Sequence, residues 1–87
     1  MRTLVELGAA VAQLRREQHL TQETLAAVSG TQQSYWSRFE RGQVGEFGVR
    51  KLLSALDRLG YELVLRPVDA PPTLEDLLLE RKGGRSE

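Results

Sequence analysis

The chain has 87 residues, with 12 basic and 12 acidic side chains and a formal net charge of zero. This length allows one domain with a small core, and the neutral balance argues against a protein that coats nucleic acid with an overall basic surface. The absence of cysteine excludes disulfides and thiolate chemistry, and no apolar run reaches membrane-spanning length, so a cytoplasmic protein with no membrane partner is expected.

The first predicted helix begins after Thr3. Thr3 and Glu6 have the spacing of a capping box, in which each satisfies a backbone amide of the other. Leu7, Val11 and Leu14 follow at i, i+4 and i+7, which places one face of the helix in the core.

Two short helices are predicted around Gly30. Thr21 stands where it can cap the second helix, and Gly30 suits a sharp turn because glycine adopts positive φ at little cost. Trp36 and Phe39 give the third helix a buried aromatic seam, and Gly42 ends it. Two short helices joined by a tight turn indicate a helix-turn-helix, whose second helix lies in the DNA major groove.

The third helix carries polar side chains on the face opposite its aromatic seam. The residues expected to contact base edges there are Gln33, Ser34, Ser37 and Arg38. Phosphate contacts are expected from Gln22, Gln32, Arg41 and Gln43. The alternatives are an ordinary solvated helix face, and an ion pair of Arg38 with a neighbouring carboxylate.

A fourth helix is predicted after a short glycine-bearing loop at 43–48. Its expected core stripe is Val49, Leu52, Leu53, Leu56 and Leu59, with Gly60 just past its end. His19, the sole histidine, is interpreted as a helix-end residue, since no second metal ligand or catalytic partner accompanies it.

A β-rich segment follows at 61–67, between Gly60 and Pro67. A lone strand cannot satisfy its own backbone groups, so its economical partner is the same strand of a second copy. The residues expected at this dimer interface are Tyr61, Leu63, Val64 and Leu65. The predicted organisation is a helix-turn-helix domain at 1–60, a dimerisation strand at 61–67 and a tail at 68–87 with a short helix over 73–82.

These features resemble the lambdoid-repressor-like (Cro/C1, or XRE) helix-turn-helix domains over roughly residues 5 to 60. The residues that carry the resemblance are Leu20–Glu23, Leu25, Ala26, Gly30 and Ser37–Gly42, with Arg15 upstream. The resemblance implies an all-α bundle of four to five helices and a salt bridge between Arg15 and Glu40. His19 stands where the family usually has glycine, and Gln32 stands where it usually has a Ser or Thr cap.

A closer resemblance, carried by Phe39 and Glu40, the loop and the segment from Leu59 to Leu65, is to HipB-type antitoxins, whose dimers share an intersubunit sheet. This resemblance implies a repressor of its own toxin–antitoxin operon that binds a palindromic operator as a homodimer, and it leaves open a cognate toxin of the HipA-like kinase class. The alternative is a protein-interaction module that neutralises a toxin with weak or no DNA binding, which the near-zero charge keeps open. The sequence predicts no enzyme activity, no cofactor and no metal site.

Overall fold

The computed structural model describes residues 3–68, which form four α-helices. In chain order these are α1 (Leu4–Glu17), α2 (Gln22–Ser29), α3 (Gln33–Glu40) and α4 (Val49–Leu59). The prediction of an all-α domain is confirmed for this part of the chain. The expected helix over 73–82 and the remainder of the tail lie outside the described residues.

The predicted strand at 61–67 does not form within the described single chain, where residues 61–68 have neither helix nor strand structure. All eight side chains of this segment are exposed. A strand exists only when another strand pairs with its backbone groups, and the described residues contain no other strand. Pairing with a second copy therefore stays a prediction.

Side-chain caps begin the first two helices, as predicted. Thr3 Oγ1 accepts the N–H of Glu6 at 3.0 Å, and Thr3 N–H donates to Glu6 Oε1 at 3.3 Å, which completes the capping box. Thr21 Oγ1 accepts the N–H of Thr24 at 3.0 Å at the start of α2. These bonds satisfy amides that a helix start otherwise leaves without partners.

The helices end at residues with positive φ. At the end of α2, Gly30 has a φ of 76°, and the next N–H, of Thr31, donates to the carbonyl of Ala26 at 2.9 Å. At the end of α1 the same position is taken by His19, with a φ of 59°, and Leu20 N–H donates back to Arg15. A side chain in this backbone region costs about 1–2 kcal/mol. His19 therefore terminates α1 in the conformation usual for glycine, at some cost in stability.

The core forms where α3 meets the other helices. Trp36 and Phe39 are fully buried, with ring centroids 5.2 Å apart in an edge-to-face arrangement. The buried residues that surround them are Val11, Leu25, Ala26, Leu52, Ala55, Leu56 and Leu59. The predicted burial of the aromatic seam is confirmed.

The predicted core stripe of α4 was wrong at two positions. Val49 and Leu53 are 65% and 45% exposed, and Ala55 is fully buried. The buried set keeps the i, i+3, i+4, i+7 spacing but begins three residues later, at Leu52. The reason is that α4 packs chiefly against α2, and the small side chain of Ala55 turns inward where the two helices approach each other.

The backbones of α1 and α3 approach each other closely at Gly8. A Cβ atom at this position would lie 2.1 Å from the carbonyl oxygen of Phe39 and 3.1 Å from its carbonyl carbon. Both are backbone atoms, which cannot move aside as a flexible side chain would. Gly8 therefore sets how closely α1 packs on the C-terminal half of α3.

Replacing Gly8 with alanine should destabilise the domain by about 1–3 kcal/mol because of this overlap, although the same change in an unobstructed helix stabilises by roughly 0.5–1 kcal/mol. Urea unfolding followed by Trp36 fluorescence measures the difference. Gly45→Ala is the matched control, because a Cβ there meets no atom within 4 Å. A Gly8→Ala protein as stable as the wild type would contradict the close packing of α1 on α3.

Candidate nucleic-acid interface

The turn between α2 and α3 spans residues 30–32 and sets the angle between the two helices. Gly30 begins the turn in the left-handed region, and Ser29, which is buried, donates its hydroxyl to the carbonyl of Ala26 at 3.2 Å. Gln32 has an extended backbone directly before α3. Two helices of eight residues joined by this short turn form the predicted helix-turn-helix.

The carboxylate of Glu40 holds α3 in place. Arg15 Nε donates to Glu40 Oε2 at 2.7 Å, and Arg15 Nη2 donates to Glu40 Oε1 at 3.0 Å, so the two side chains form a bidentate ion pair. Gln22 Nε2 donates to Oε1 at 2.8 Å, and Trp36 Nε1 donates to Oε2 at 2.6 Å. One carboxylate thus joins α1, α2 and α3.

This network is buried and extends into the loop before α2. The Glu40 side chain is 3% exposed and that of Arg15 is 12% exposed. The remaining guanidinium nitrogen of Arg15, Nη1, donates to the carbonyl of Leu20 at 2.8 Å. Burial raises the pKa of Glu40, but the hydrogen bonds from Arg15, Gln22 and Trp36 and the charge of Arg15 outweigh burial and hold this pKa below its ordinary value.

The four residues predicted to contact bases lie on the face of α3 that points away from the core. At about 100° of rotation per residue, they cover roughly 140° of the helix circumference. Gln33, Ser34 and Arg38 are exposed, and Ser37 is partly buried. The structure therefore brings these side chains together on one accessible surface.

The C-terminal end of this face has its own polar contacts. Arg41 Nη1 donates to Ser37 Oγ, and Arg41 Nε donates to Gln43 Oε1 at 3.3 Å. Arg41 and Gln43 are exposed. Two residues predicted to bind phosphate thus lie next to one predicted to contact bases.

The other predicted phosphate ligands lie at the helix starts. Gln32 precedes α3 and its side chain makes no cap bond, so it leaves the first amides of α3 without a side-chain acceptor. Gln22, in the first turn of α2, is partly buried and donates one amide hydrogen to Glu40. Its structural role in the Glu40 network was not expected from the sequence.

Sequence reasoning also missed the ring contacts beside α3. The ring of Phe47, from the loop treated as a simple connection, stacks on Phe39 with centroids 4.0 Å apart. Tyr35 also stacks on the ring of Phe47, with centroids 5.7 Å apart, and its hydroxyl donates to the carbonyl of Glu46 at 2.5 Å. The isolated aromatic residue between Gly45 and Gly48 was the available signal, since such a residue often anchors a loop.

Two cations in the first turn of α4 were missed as well. Arg50 and Lys51 are exposed, and the first turn of α4 contains no acidic residue. Cations at a helix N-terminus oppose the helix dipole, so this placement is unfavourable for the stability of α4, and it presents two positive charges to solvent.

Comparison with known proteins agrees with this geometry. A family model of the helix-turn-helix domain matches residues 1–66. The chain belongs to the helix-turn-helix domain family. This membership supports a DNA-binding regulator and makes double-stranded DNA the expected partner. No curated protein and no solved structure gives a significant match to the chain.

Residues 3–68 contain no group of three or more histidine, cysteine or acidic residues placed to hold a metal ion. None of the four helices has the length and apolar character needed to cross a bilayer.

Replacing Glu40 with glutamine should destabilise the domain by about 3 kcal/mol near neutral pH, because Arg15 then keeps a buried charge without its counter-charge. Since the folded-state pKa of Glu40 is lowered, its contribution is fully present above the ordinary value of 4.5 and is lost as the pH falls through the lower folded value. The difference in the free energy of unfolding between the wild type and Glu40→Gln should therefore become smaller in acid.

Urea unfolding at about pH 7 and about pH 3 measures both differences in the free energy of unfolding. Glu17→Gln is the matched control, since Glu17 is exposed and hydrogen-bonds a neutral side chain, Gln13. If Glu40→Gln lowered the free energy of unfolding by the same amount at both pH values, the negative charge of Glu40 would not be what stabilises the network.

Proposed function

We propose that this protein is a sequence-specific DNA-binding transcriptional repressor whose α3 enters the major groove. The observation that carries the proposal is the accessible polar face of α3, fixed from behind by the buried Glu40 network. A helix that must match base edges has to be held in one orientation, and the bonds to α1 and α2 supply that constraint.

The side chains on this face have the chemistry of base readout. Arg38 can donate two hydrogen bonds to O6 and N7 of guanine, and Gln33 can pair with N6 and N7 of adenine. Ser34 and Ser37 can each donate or accept at either kind of base edge. In the free protein Ser37 accepts from Arg41, so Ser37 exchanges this bond for one to DNA if it reads a base.

Phosphate binding is assigned to the two ends of α3 and to the start of α4. The uncapped amides that follow Gln32 suit a phosphate oxygen, because a helix N-terminus combines N–H donors with a positive dipole end. Gln22 keeps one amide hydrogen for the same purpose. The exposed side chains that add donors or positive charge are Arg41, Gln43, Arg50 and Lys51.

The neutral overall charge hides a local excess of positive charge near this surface. Residues 22–59, from the start of α2 to the end of α4, contain five basic side chains and four acidic ones. Glu40, one of the four acidic residues, is buried against Arg15. The remaining charge favours an anionic partner at α3 and at the start of α4, as phosphate binding requires.

Dimerisation through residues 61–67 is part of the proposal. Tyr61, Leu63 and Val64 are each about half exposed, and Leu65 is 94% exposed. Apolar side chains in this number on a segment without secondary structure favour a partner that covers them. Pairing of two such segments across a twofold axis would place two α3 helices on a palindromic operator.

The second candidate is an antitoxin that acts mainly by binding a toxin. The exposed apolar residues Val49 and Leu53 on α4, together with the exposed apolar side chains within residues 61–68, favour a protein partner of some kind. Autoregulation of a HipB-like operon combines both roles. The repressor requires the polar face of α3 for DNA binding, whereas an antitoxin that acts by binding a toxin does not. Measuring the DNA affinity of α3 variants therefore separates the two candidates.

Arg38→Ala should weaken binding to a site selected from random DNA by about 1–3 kcal/mol and should relax preference at one base pair of each half-site. Arg41→Ala should weaken all sequences about equally and should reduce the salt dependence of binding. Mobility shifts at two salt concentrations measure both effects. Arg58→Ala is the control, because Arg58 is exposed near the end of α4, away from the α3 face. Unchanged affinity and specificity in Arg38→Ala would exclude base readout by Arg38.

Val64→Pro should dissociate the proposed dimer, because proline removes a backbone donor from the middle of the strand. Affinity for a full palindrome should then fall towards that for a half-site, while the helical content of the domain stays unchanged. Light scattering at micromolar concentration measures the mass, with Val64→Thr as the control that keeps the donor and the β-branched shape. A dimer that survives Val64→Pro would place the subunit contact elsewhere.

A further inference from the structure

A continuous stack of side chains leads from the core to the exposed face of α3. Phe39 is fully buried, and Phe47 lies nearly parallel to it at 4.0 Å between centroids, with an interplanar angle of 16°. Tyr35 continues the stack on Phe47 at 5.7 Å and 9°. The guanidinium carbon of Arg38 lies 5.5 Å from the centre of the Tyr35 ring. The last member of the stack is therefore the cation predicted to read a base.

The Tyr35 ring is fixed at both of its ends. Its hydroxyl donates to the carbonyl of Glu46 at 2.5 Å, and its ring rests on Phe47. Phe47 is itself held by an edge-to-face contact with Trp36 at 5.8 Å. Tyr35 is thus a rigid extension of the core, although it is itself partly exposed.

Arg38 is held by this ring and by no charged group among the described residues. The Arg38 guanidinium lies against the Tyr35 ring, and no ion pair joins it to an acidic side chain among residues 3–68. The alternative of an ion pair between Arg38 and a neighbouring carboxylate is therefore not seen in this part of the chain. A ring face attracts a cation without accepting its in-plane hydrogen bonds, so the N–H groups of Arg38 stay free to donate.

We propose that Tyr35 is the positioning residue for Arg38: its ring sets the direction of the guanidinium before DNA arrives. The proposal rests on the proposed function, since it takes Arg38 as a reader of a base. A long side chain that is already ordered loses less conformational entropy on binding. The same constraint sharpens specificity, because the donors of Arg38 are aimed in one direction.

A double-mutant cycle on the selected DNA site tests the coupling between the two residues. Arg38→Ala should cost about 10- to 100-fold in affinity, and Tyr35→Leu about 3- to 10-fold with loss of preference at the same base pair. In the Arg38→Ala background, Tyr35→Leu should change affinity by less than about 2-fold. Equal effects of Tyr35→Leu in both backgrounds would overturn the proposal, because Tyr35 would then act on DNA by itself.

Tyr35→Phe is the matched variant, because it keeps the ring and removes the hydroxyl bond to Glu46. It should bind within about 2-fold of the wild type, because the stack on Phe47 still holds the ring beside Arg38. A loss as large as that of Tyr35→Leu would overturn a role for the ring. Circular dichroism and urea unfolding of every variant exclude a general loss of folding as the cause.

Nuclear magnetic resonance of the free protein tests the positioning role of Tyr35 separately from DNA binding. In the free protein the Arg38 side-chain N–H resonance should be displaced by the ring current of Tyr35, and Tyr35→Leu should move it to the position of an exposed arginine. An unmoved resonance would overturn the positioning role even if Arg38 reads a base. The resonance could move while Arg38→Ala binds DNA like the wild type. That result would confirm the contact between Tyr35 and Arg38 but would exclude base readout by Arg38. It would therefore overturn a role of Tyr35 in DNA recognition.

Discussion

The Glu40 carboxylate is the interaction on which the rest of the domain depends. It accepts hydrogen bonds from Arg15 of α1, Gln22 of α2 and Trp36 of its own helix, so three helices meet at one buried group. A buried ion pair adds little net stability relative to apolar packing, but leaving one partner alone is costly. The network therefore selects one orientation of α3 among those that a small apolar core would tolerate.

The orientation of α3 connects the core with the surface proposed to face DNA. Gly8 allows α1 to lie against the backbone of α3, and the aromatic residues of α3 fill the space between the helices. The opposite face of α3 is then left to polar side chains. Because the domain is small, the same eight-residue helix provides core packing on one side and the proposed base readout on the other.

Much of this fold could be predicted from local sequence signals. The threonine caps, the left-handed position of Gly30 and the burial of Trp36 each follow from a pattern of neighbouring residues. The register of α4 could not be predicted this way. The burial of Ala55 instead of Leu53 depends on how closely α2 approaches α4. The roles of Gly8 and Phe47 depend on residues about thirty and eight positions away, so they become visible only when the chain is folded.

The predicted site shows the same division. An exposed polar face on α3 follows from helical periodicity alone, because the aromatic seam fixes the opposite side. The contact of Arg38 with Tyr35 and the bond of Gln22 to Glu40 depend on side-chain geometry that spacing does not encode. The segment at 61–68 is largely apolar in sequence and exposed in the single chain, and its pairing with a second copy stays a proposal.

Selection of binding sites from a pool of random double-stranded DNA by the 87-residue chain tests sequence-specific recognition most directly. We expect enrichment of an inverted repeat whose half-site centres lie about one helical turn, roughly 10 base pairs, apart. Enrichment of a single half-site would support readout by α3 and contradict the dimer. Recovery of no sequence above the starting pool, at low and at physiological salt, would contradict sequence-specific DNA binding.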